Sequence, residues 1–349
     1  MPRVTLDTSP DYARYLIAVA ENATTHFSVK RTIRLPGLAV ATYMSPGALA
    51  DALGNAFVEA EDNPAEARLC QVFIGHPGIG DMPEPEGWGD AYFTEHGFAQ
   101  RLAVAGLRGH HFHDLDFWQF YDPQRRVGVQ LMHSVDAFPP WEPGAPLRAF
   151  LHWEYAARGM RLAHAGTLGA NGKGVLLAGA GGAGKSGTVV AGLLNGLDSV
   201  CDDYVLVDLA NGVTARPLFS TLKQDPQGFE RLDLKDRLGA RGKLNWQGKH
   251  VFRIGDIAAR PVPETLDIAA LMMPHISGGG KSSITPVSRR DAVIALAPSG
   301  IAQMPGERES GFRFFSDLTR LLPCYRLSLG TCPEEIAGTI ANFLARGLS

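Results

Sequence analysis

Cysteine is scarce in this chain: four among 349 residues, at positions 70, 201, 324 and 332, with no Cys-x-x-Cys pair. That spacing argues against a zinc site and gives no disulfide framework, which points to a reducing compartment. Long apolar runs are missing too, and none approaches the roughly 18 residues that suggest a membrane span. The start, Met1-Pro2-Arg3-Val4-Thr5-Leu6-Asp7, has no apolar stretch behind a basic residue, so it does not read as a secretory signal. Excess positive charge is lacking as well. Lys and Arg number 33 against 36 Asp and Glu, a net charge of −3, so no polybasic surface for nucleic acid or anionic membrane is implied. These absences predict a cytoplasmic protein with neither nucleic acid nor membrane as partner. No internal repeat is visible.

What remains is ordinary for a globular chain, with 45% hydrophobic and 20% charged residues, and long enough for two domains. Four prolines and a glycine between 138 and 146 mark a linker, which separates a domain at 1–140 from one at 147–349. In the first, Ser9-Pro10 and Ser45-Pro46 read as helix starts, predicting helices near 10–21 and 46–60. Residues 68–74 read as a strand, 81–90 as a loop, and 117–121 with 127–132 as a β-hairpin. In the second, the pattern predicts helices over 147–162, 290–296, 311–322 and 333–344. Strands are expected over 199–208, 268–273, 283–287 and 325–329. The polar stretch 225–255 reads as an exposed or mobile insert.

The most informative residues are Gly179-Ala180-Gly181-Gly182-Ala183-Gly184-Lys185-Ser186, which match G-x-x-x-x-G-K-S, the phosphate-binding loop of P-loop nucleotide enzymes. An apolar strand over 174–178 leads in and a helix over 188–194 leads out. Strand, glycine turn and helix gather free backbone N–H groups around a phosphate. Gly179, Gly181, Gly182 and Gly184 permit torsions that a side chain would block. The cradle is therefore assigned to Gly179, Gly181, Gly182, Ala183, Gly184, Lys185, Ser186 and Gly187. Lys185 supplies charge to the phosphates, and the Ser186 hydroxyl suits Mg²⁺.

Asp202 and Asp203 stand in front of an apolar strand at 204–207. Phosphoryl transfer needs a carboxylate near the metal and another group at the acceptor hydroxyl, and neighbours on a strand face opposite ways. His164 lies 21 residues before Lys185 and could orient a phosphate or a neighbouring carboxylate. Lys223, Arg289 and Arg290 are further candidates for phosphate contact. His110, His111 and His113, with Asp114, have ligand-type side chains, but no Cys or Glu cluster matches them. A solvent-facing strand explains them more simply.

His164-Ala165-Gly166, the loop from Gly179 to Ser186, and Asp202-Asp203, 17 residues after Lys185, together resemble the HPr kinase-like group of P-loop serine kinases. Ile284-Thr285-Pro286-Val287 resembles that family's C-terminal strand. The likeness spans roughly 150–300. It implies an α/β kinase domain of the HPr kinase/PEP-carboxykinase type with a mixed sheet, preceded here by an α+β accessory domain for substrate recognition. It also implies Asp202 as the base toward the acceptor hydroxyl, Asp203 as a metal-linked carboxylate with Ser186, and His164 as support. The Glu-containing glycine-rich signature of members that act on HPr is absent, and Arg216 to Lys223 occupies its place. The chain looks more like divergent HPr-kinase-related proteins, some of which modify serine in lasso-peptide precursors.

The reading is an ATP- and Mg²⁺-dependent kinase of a serine hydroxyl on a protein or peptide, with a homo-oligomer as an open option. Two alternatives stand beside it: a nucleotide-binding regulatory protein with little phosphotransfer, and a small-molecule kinase.

Overall fold

A computed structural model describes residues 8–60, 67–85, 95–112, 115–239, 242–300 and 308–346. The chain divides into two compact units, Met1–Ala157 and Arg158–Ser349. The division falls after the proline-rich stretch rather than within it. That stretch is no free tether, because Glu142 is buried and its carboxylate accepts the Leu147 amide at 3.0 Å.

In the first unit, α1 (Ser9–Asn22) starts behind Thr8, whose hydroxyl caps the Asp11 amide. The hairpin β1 (Val29–Leu35) and β2 (Leu38–Met44) leads to α2 (Ala48–Leu53), which is shorter than the helix that the sequence suggests. Gly54 caps it, and the chain turns away. Then come β3 (Arg68–Gly75), α3 (Glu95–Val104), β4 (Arg108–Phe112), β5 (Phe117–Asp122), β6 (Val127–Leu131) and α4 (Arg148–Ala156). The strands form one mixed sheet in the order β1-β2-β3-β6-β5-β4. The hairpin β5–β6 is as expected from the alternation around Asp122-Pro123-Gln124-Arg125.

Tyr12, Leu16 and Ile17 of α1 and Phe98 and Leu102 of α3 pack with Phe73, Phe120 and Val129 into one apolar core. Trp153 of α4 stacks on Tyr121, and Phe150 meets the same ring edge-on. Helix α4 ends at Ala156, before Gly159 with φ +77, so the helix expected over 147–162 is cut short. His110 and His111 are buried rather than solvent-facing, and His111 stacks on Trp118 with ring centroids 3.3 Å apart. His113 and Asp114 lie outside the described residues, as do 86–90 of the expected 81–90 loop.

The second unit opens with β7 (Arg161–Ala163), β8 (Gly166–Ala170) and β9 (Lys173–Leu177), then α5 (Lys185–Leu194). Next are β10 (Val205–Asp208), β11 (Thr214–Arg216), β12 (Thr221–Gln224), α6 (Pro226–Arg231), α7 (Leu234–Leu238), β13 (Lys243–Leu244) and β14 (His250–Arg253). It closes with β15 (Leu266–Ile276), β16 (Ser283–Pro286), α8 (Arg289–Gly300), α9 (Arg308–Leu321), β17 (Cys324–Leu329) and α10 (Pro333–Arg346).

Strand β15 organises the main sheet. It pairs in parallel with β9 and β17 and antiparallel with β11. Its apolar run, with Leu271 and Met272 fully buried, suits a strand covered on both faces. Strand β10 is shorter than the 199–208 expected, because Asp203 has φ +79 and breaks the extended conformation.

Within 225–255, expected as an exposed or mobile insert, the described residues are folded. Strands β12, β14 and β13 form a small antiparallel sheet, and Phe229, Leu232, Leu234, Leu238 and Phe252 bury its apolar side chains. Among the described residues, no helix is long and apolar enough to cross a membrane.

One packing contact in the first unit is open to direct test. A Cβ on Gly128 would lie 2.4 and 2.7 Å from two ring carbons of Phe150. Gly128→Ala should therefore overpack the core and cost about 1–3 kcal/mol. Urea denaturation checks this, and an unchanged midpoint would mean that the α4 face yields freely.

Candidate active site

The parallel pair β9–β15 delivers the chain into the glycine loop, and α5 begins directly after it. Gly184 caps α5 with φ +101, and a Cβ there would also strike Leu329 at 2.5 Å. No other residue fits that position without strain. Gly182 has φ +81, so the loop bends through a second left-handed residue. Lys185 is buried and folds back over the loop, donating to the carbonyls of Gly179 at 2.7 Å and Ala180 at 3.2 Å. Burial lowers its pKa, while the charges of Asp202 and Asp203 support the ammonium. Lys185, Ser186 and Gly187 form the first turn of α5, where backbone N–H groups are free of intrahelical partners.

The aspartate pair is set by the strand next to the loop strand. Thr167 of β8 donates its amide to Cys201 O at 3.1 Å, and its hydroxyl oxygen accepts the Val200 amide at 3.0 Å. The buried Cys201 thiol donates to the carbonyls of Tyr204 and Asp202. Burial first, and the charge of Asp202 second, push that thiol up to about 12, so it keeps the proton it donates. Gly166 makes room: a Cβ there would meet Val189 at 2.6 Å and Asp202 Oδ1 at 3.1 Å.

The left-handed turn at Asp203 separates the two carboxylates. Asp203 Oδ1 accepts His164 Nε2 at 2.9 Å, and Oδ2 accepts Lys223 Nζ at 2.7 Å. Burial opposes its charge, but the His164 hydrogen bond and the Lys223 charge outweigh burial and hold it well below the usual carboxylate range. Tyr204 stacks on His164, ring centroids 5.5 Å apart, and fixes that ring.

Asp202 is the opposite case. It is 2% exposed, and its Oδ1 has no hydrogen-bond partner. Burial, then the neighbouring Asp203 charge, push its pKa up to about 6, against hydrogen bonding from Ser186 and the charges of Lys185 and His164.

The structure thus brings His164, Lys185, Ser186, Asp202 and Asp203 together, with the loop from Gly179 to Gly184 beside them. Lys223 joins them as a partner of Asp203. Thr167, Cys201 and Tyr204 were not singled out in the sequence, although all three lie next to residues that were. Arg289 and Arg290 are exposed at the start of α8, and Arg289 lies within electrostatic reach of Cys324 instead. The sequence reading gives Asp203 to a metal; its oxygens here serve His164 and Lys223, and the carboxylate that meets the Ser186 hydroxyl is that of Asp202.

No family model matches the chain, and no curated protein matches it. Among solved structures it is similar to the HPr(Ser) kinase/phosphatase from Coxiella burnetii, at 14% identity and a TM-score of 0.29, over 53% of this chain and 97% of that one.

The Asp203 cluster has a measurable signature. Its carboxylate releases its proton more readily folded than unfolded, so the cluster stabilises the fold at neutral pH. That contribution is lost as pH falls through and below the ordinary value of 3.8. Lys223→Met should cost roughly 1.5–3 kcal/mol at pH 7. The gap from wild type should narrow between pH 5 and pH 2 in denaturation measurements; a constant gap would assign Lys223 to packing alone.

Proposed function

We propose that the second unit is a phosphotransferase that moves the γ-phosphoryl group of ATP to a serine hydroxyl of a protein or peptide. The observation that carries this reading is Asp202. It is a buried carboxylate with one unpartnered oxygen and a raised pKa, beside Lys185 and Ser186 at the mouth of a glycine-loop helix. A base works best when its pKa lies close to the working pH, and burial tunes it there.

The roles follow from placement. The amides of the 179–187 cradle and the positive end of α5 bind phosphate oxygens. Lys185 exchanges its loop carbonyls for the phosphate chain and stabilises the charge that develops in transfer. Asp202 accepts the proton of the acceptor hydroxyl. The hydroxyl oxygen bonds to the γ-phosphorus, the bond from that phosphorus to the β–γ bridging oxygen breaks, and ADP leaves with that oxygen. Asp203, charged and held by His164 and Lys223, keeps its neighbour from ionising early.

The residues present suit Mg²⁺. Such ions use one or two carboxylates together with substrate phosphates rather than a protein cage. Among the described residues there is no cluster of three or more His, Cys, Asp or Glu that could hold a metal alone. Ser186 would hold the ion together with the substrate phosphates, with the charge of Asp203 nearby, and its chemistry there is to neutralise the phosphate charge.

Incubation with labelled ATP, Mg²⁺ and a peptide library, followed by mass spectrometry, tests the reading. It should yield an acid-stable phosphoserine, and Lys185→Ala should slow transfer by about 10²–10³ while leaving the fold intact. A phosphate that is lost in mild acid and maps to His164 would contradict direct transfer. Labelled metabolite without labelled peptide would make the chain a small-molecule kinase; nucleotide binding without any transfer would make it a regulatory protein.

A further inference from the structure

A second cationic side chain reaches the first turn of α5 from another element. Arg231, the last residue of α6, brings its guanidinium to 3.6 Å from the point where a Cβ on Gly187 would sit. The Gln224 carboxamide lies alongside. Its Oε1 is 3.9 Å from the same point, and its Nε2 is 1.8 Å from where a Cβ on Gly228 would be. Two glycines thus bracket one amide. Gly187 leaves the start of α5 bare, and Gly228 lets α6 close down on Gln224.

Two features of this arrangement call for a ligand. Gln224 is 4% exposed, and its Oε1 has no hydrogen-bond partner, an arrangement that costs stability in a folded chain. Arg231 is exposed and has no ion-pair partner among the described residues. It stands at the positive end of a helix that already carries Lys185 in its first turn. Lys249, from the turn between β13 and β14, is close enough to depress the Lys185 ammonium further. Cations gathered at a helix N-terminus repel one another and the helix dipole, and an anion seated among them reverses the sign of every term.

We propose that Arg231 is a phosphate-contacting residue of the nucleotide site and that Gln224 is its positioning residue. The guanidinium donates to the phosphate chain at the Gly187 side of the loop, whereas the Lys185 ammonium lies over Gly179 and Ala180. The free Gln224 oxygen accepts from one of the remaining guanidinium N–H groups, which leaves the others for the anion. This rests on the nucleotide-binding reading above and adds to it a residue from outside the loop motif.

Calorimetric titration of the full chain with Mg-ATP, tripolyphosphate and adenosine tests the assignment. Arg231→Ala should weaken Mg-ATP and tripolyphosphate by about tenfold or more, since a charged hydrogen bond is removed. It should leave adenosine binding and the melting temperature unchanged and flatten the salt dependence of Mg-ATP affinity. Arg231→Lys should recover part of the loss. Gln224→Leu should lose affinity in the wild-type background and nothing further in the Arg231→Ala background, as expected for residues that act as one unit. If Arg231→Ala binds Mg-ATP like wild type while Lys185→Ala is weakened, the Arg231 assignment is overturned and the nucleotide reading stands. If wild type binds neither Mg-ATP nor tripolyphosphate, the nucleotide reading itself fails.

Discussion

The second unit is organised around one carboxylate. Asp203 draws His164 from the β7–β8 connection and Lys223 from β12 onto its two oxygens. Three segments that are distant in sequence meet there, and one of them is the entry to the small sheet β12-β14-β13. The left-handed turn at Asp203 is what allows this, since it aims adjacent aspartates at different neighbours. With both of its oxygens used, Asp203 remains an anion in a partly buried place. Its charge then acts on Asp202, which is more deeply buried and shares neither His164 nor Lys223 as a direct partner. The pair is divided by environment: one carboxylate is stabilised as an ion, and the other has its pKa raised to about 6.

That division costs stability. An unpartnered buried oxygen at Asp202 and a lysine buried against backbone carbonyls are both unfavourable features in a fold, and they adjoin one another. The surrounding structure supports them through ordinary means. The parallel strands β9, β15 and β17 give a rigid base, Thr167 and Cys201 pin the turn at 199–204, and Gly166 and Gly184 remove side chains that would otherwise collide. Precision of this kind is what charge-based catalysis requires, because donors must already stand where charge will develop.

The motif and its partners were legible because local sequence encodes them. A glycine run followed by Lys-Ser forces a turn and a helix start. The short apolar runs at 174–177 and 268–273 read as buried strands. The β5–β6 hairpin followed from alternation around a polar turn. The relation between the aspartates was not legible, because it depends on the positive φ of Asp203, which an Asp adopts only in some contexts. Nor was the fold of 225–255. Its charged residues dominate its composition, while Phe229, Leu234, Leu238 and Phe252 are divided among three short elements and share no single period. Lys223 was a candidate for phosphate contact in the sequence; its pairing with Asp203, 20 residues away, appears only in the fold. The burial of His111 was hidden for a similar reason: Phe98 and Trp118, which cover it, come from other elements.

The central claim is that Asp202 is a base whose raised pKa is made by burial and by its charged neighbour. The pH dependence of single-turnover phosphoryl transfer measures this most directly. A base must be ionised to act, so transfer should rise with pH through a single ionisation near 6. Asp202→Asn should abolish transfer while Mg-ATP still binds. A transfer rate that is flat from pH 5 to pH 8, or an Asp202→Asn variant that transfers at the wild-type rate, would contradict the account.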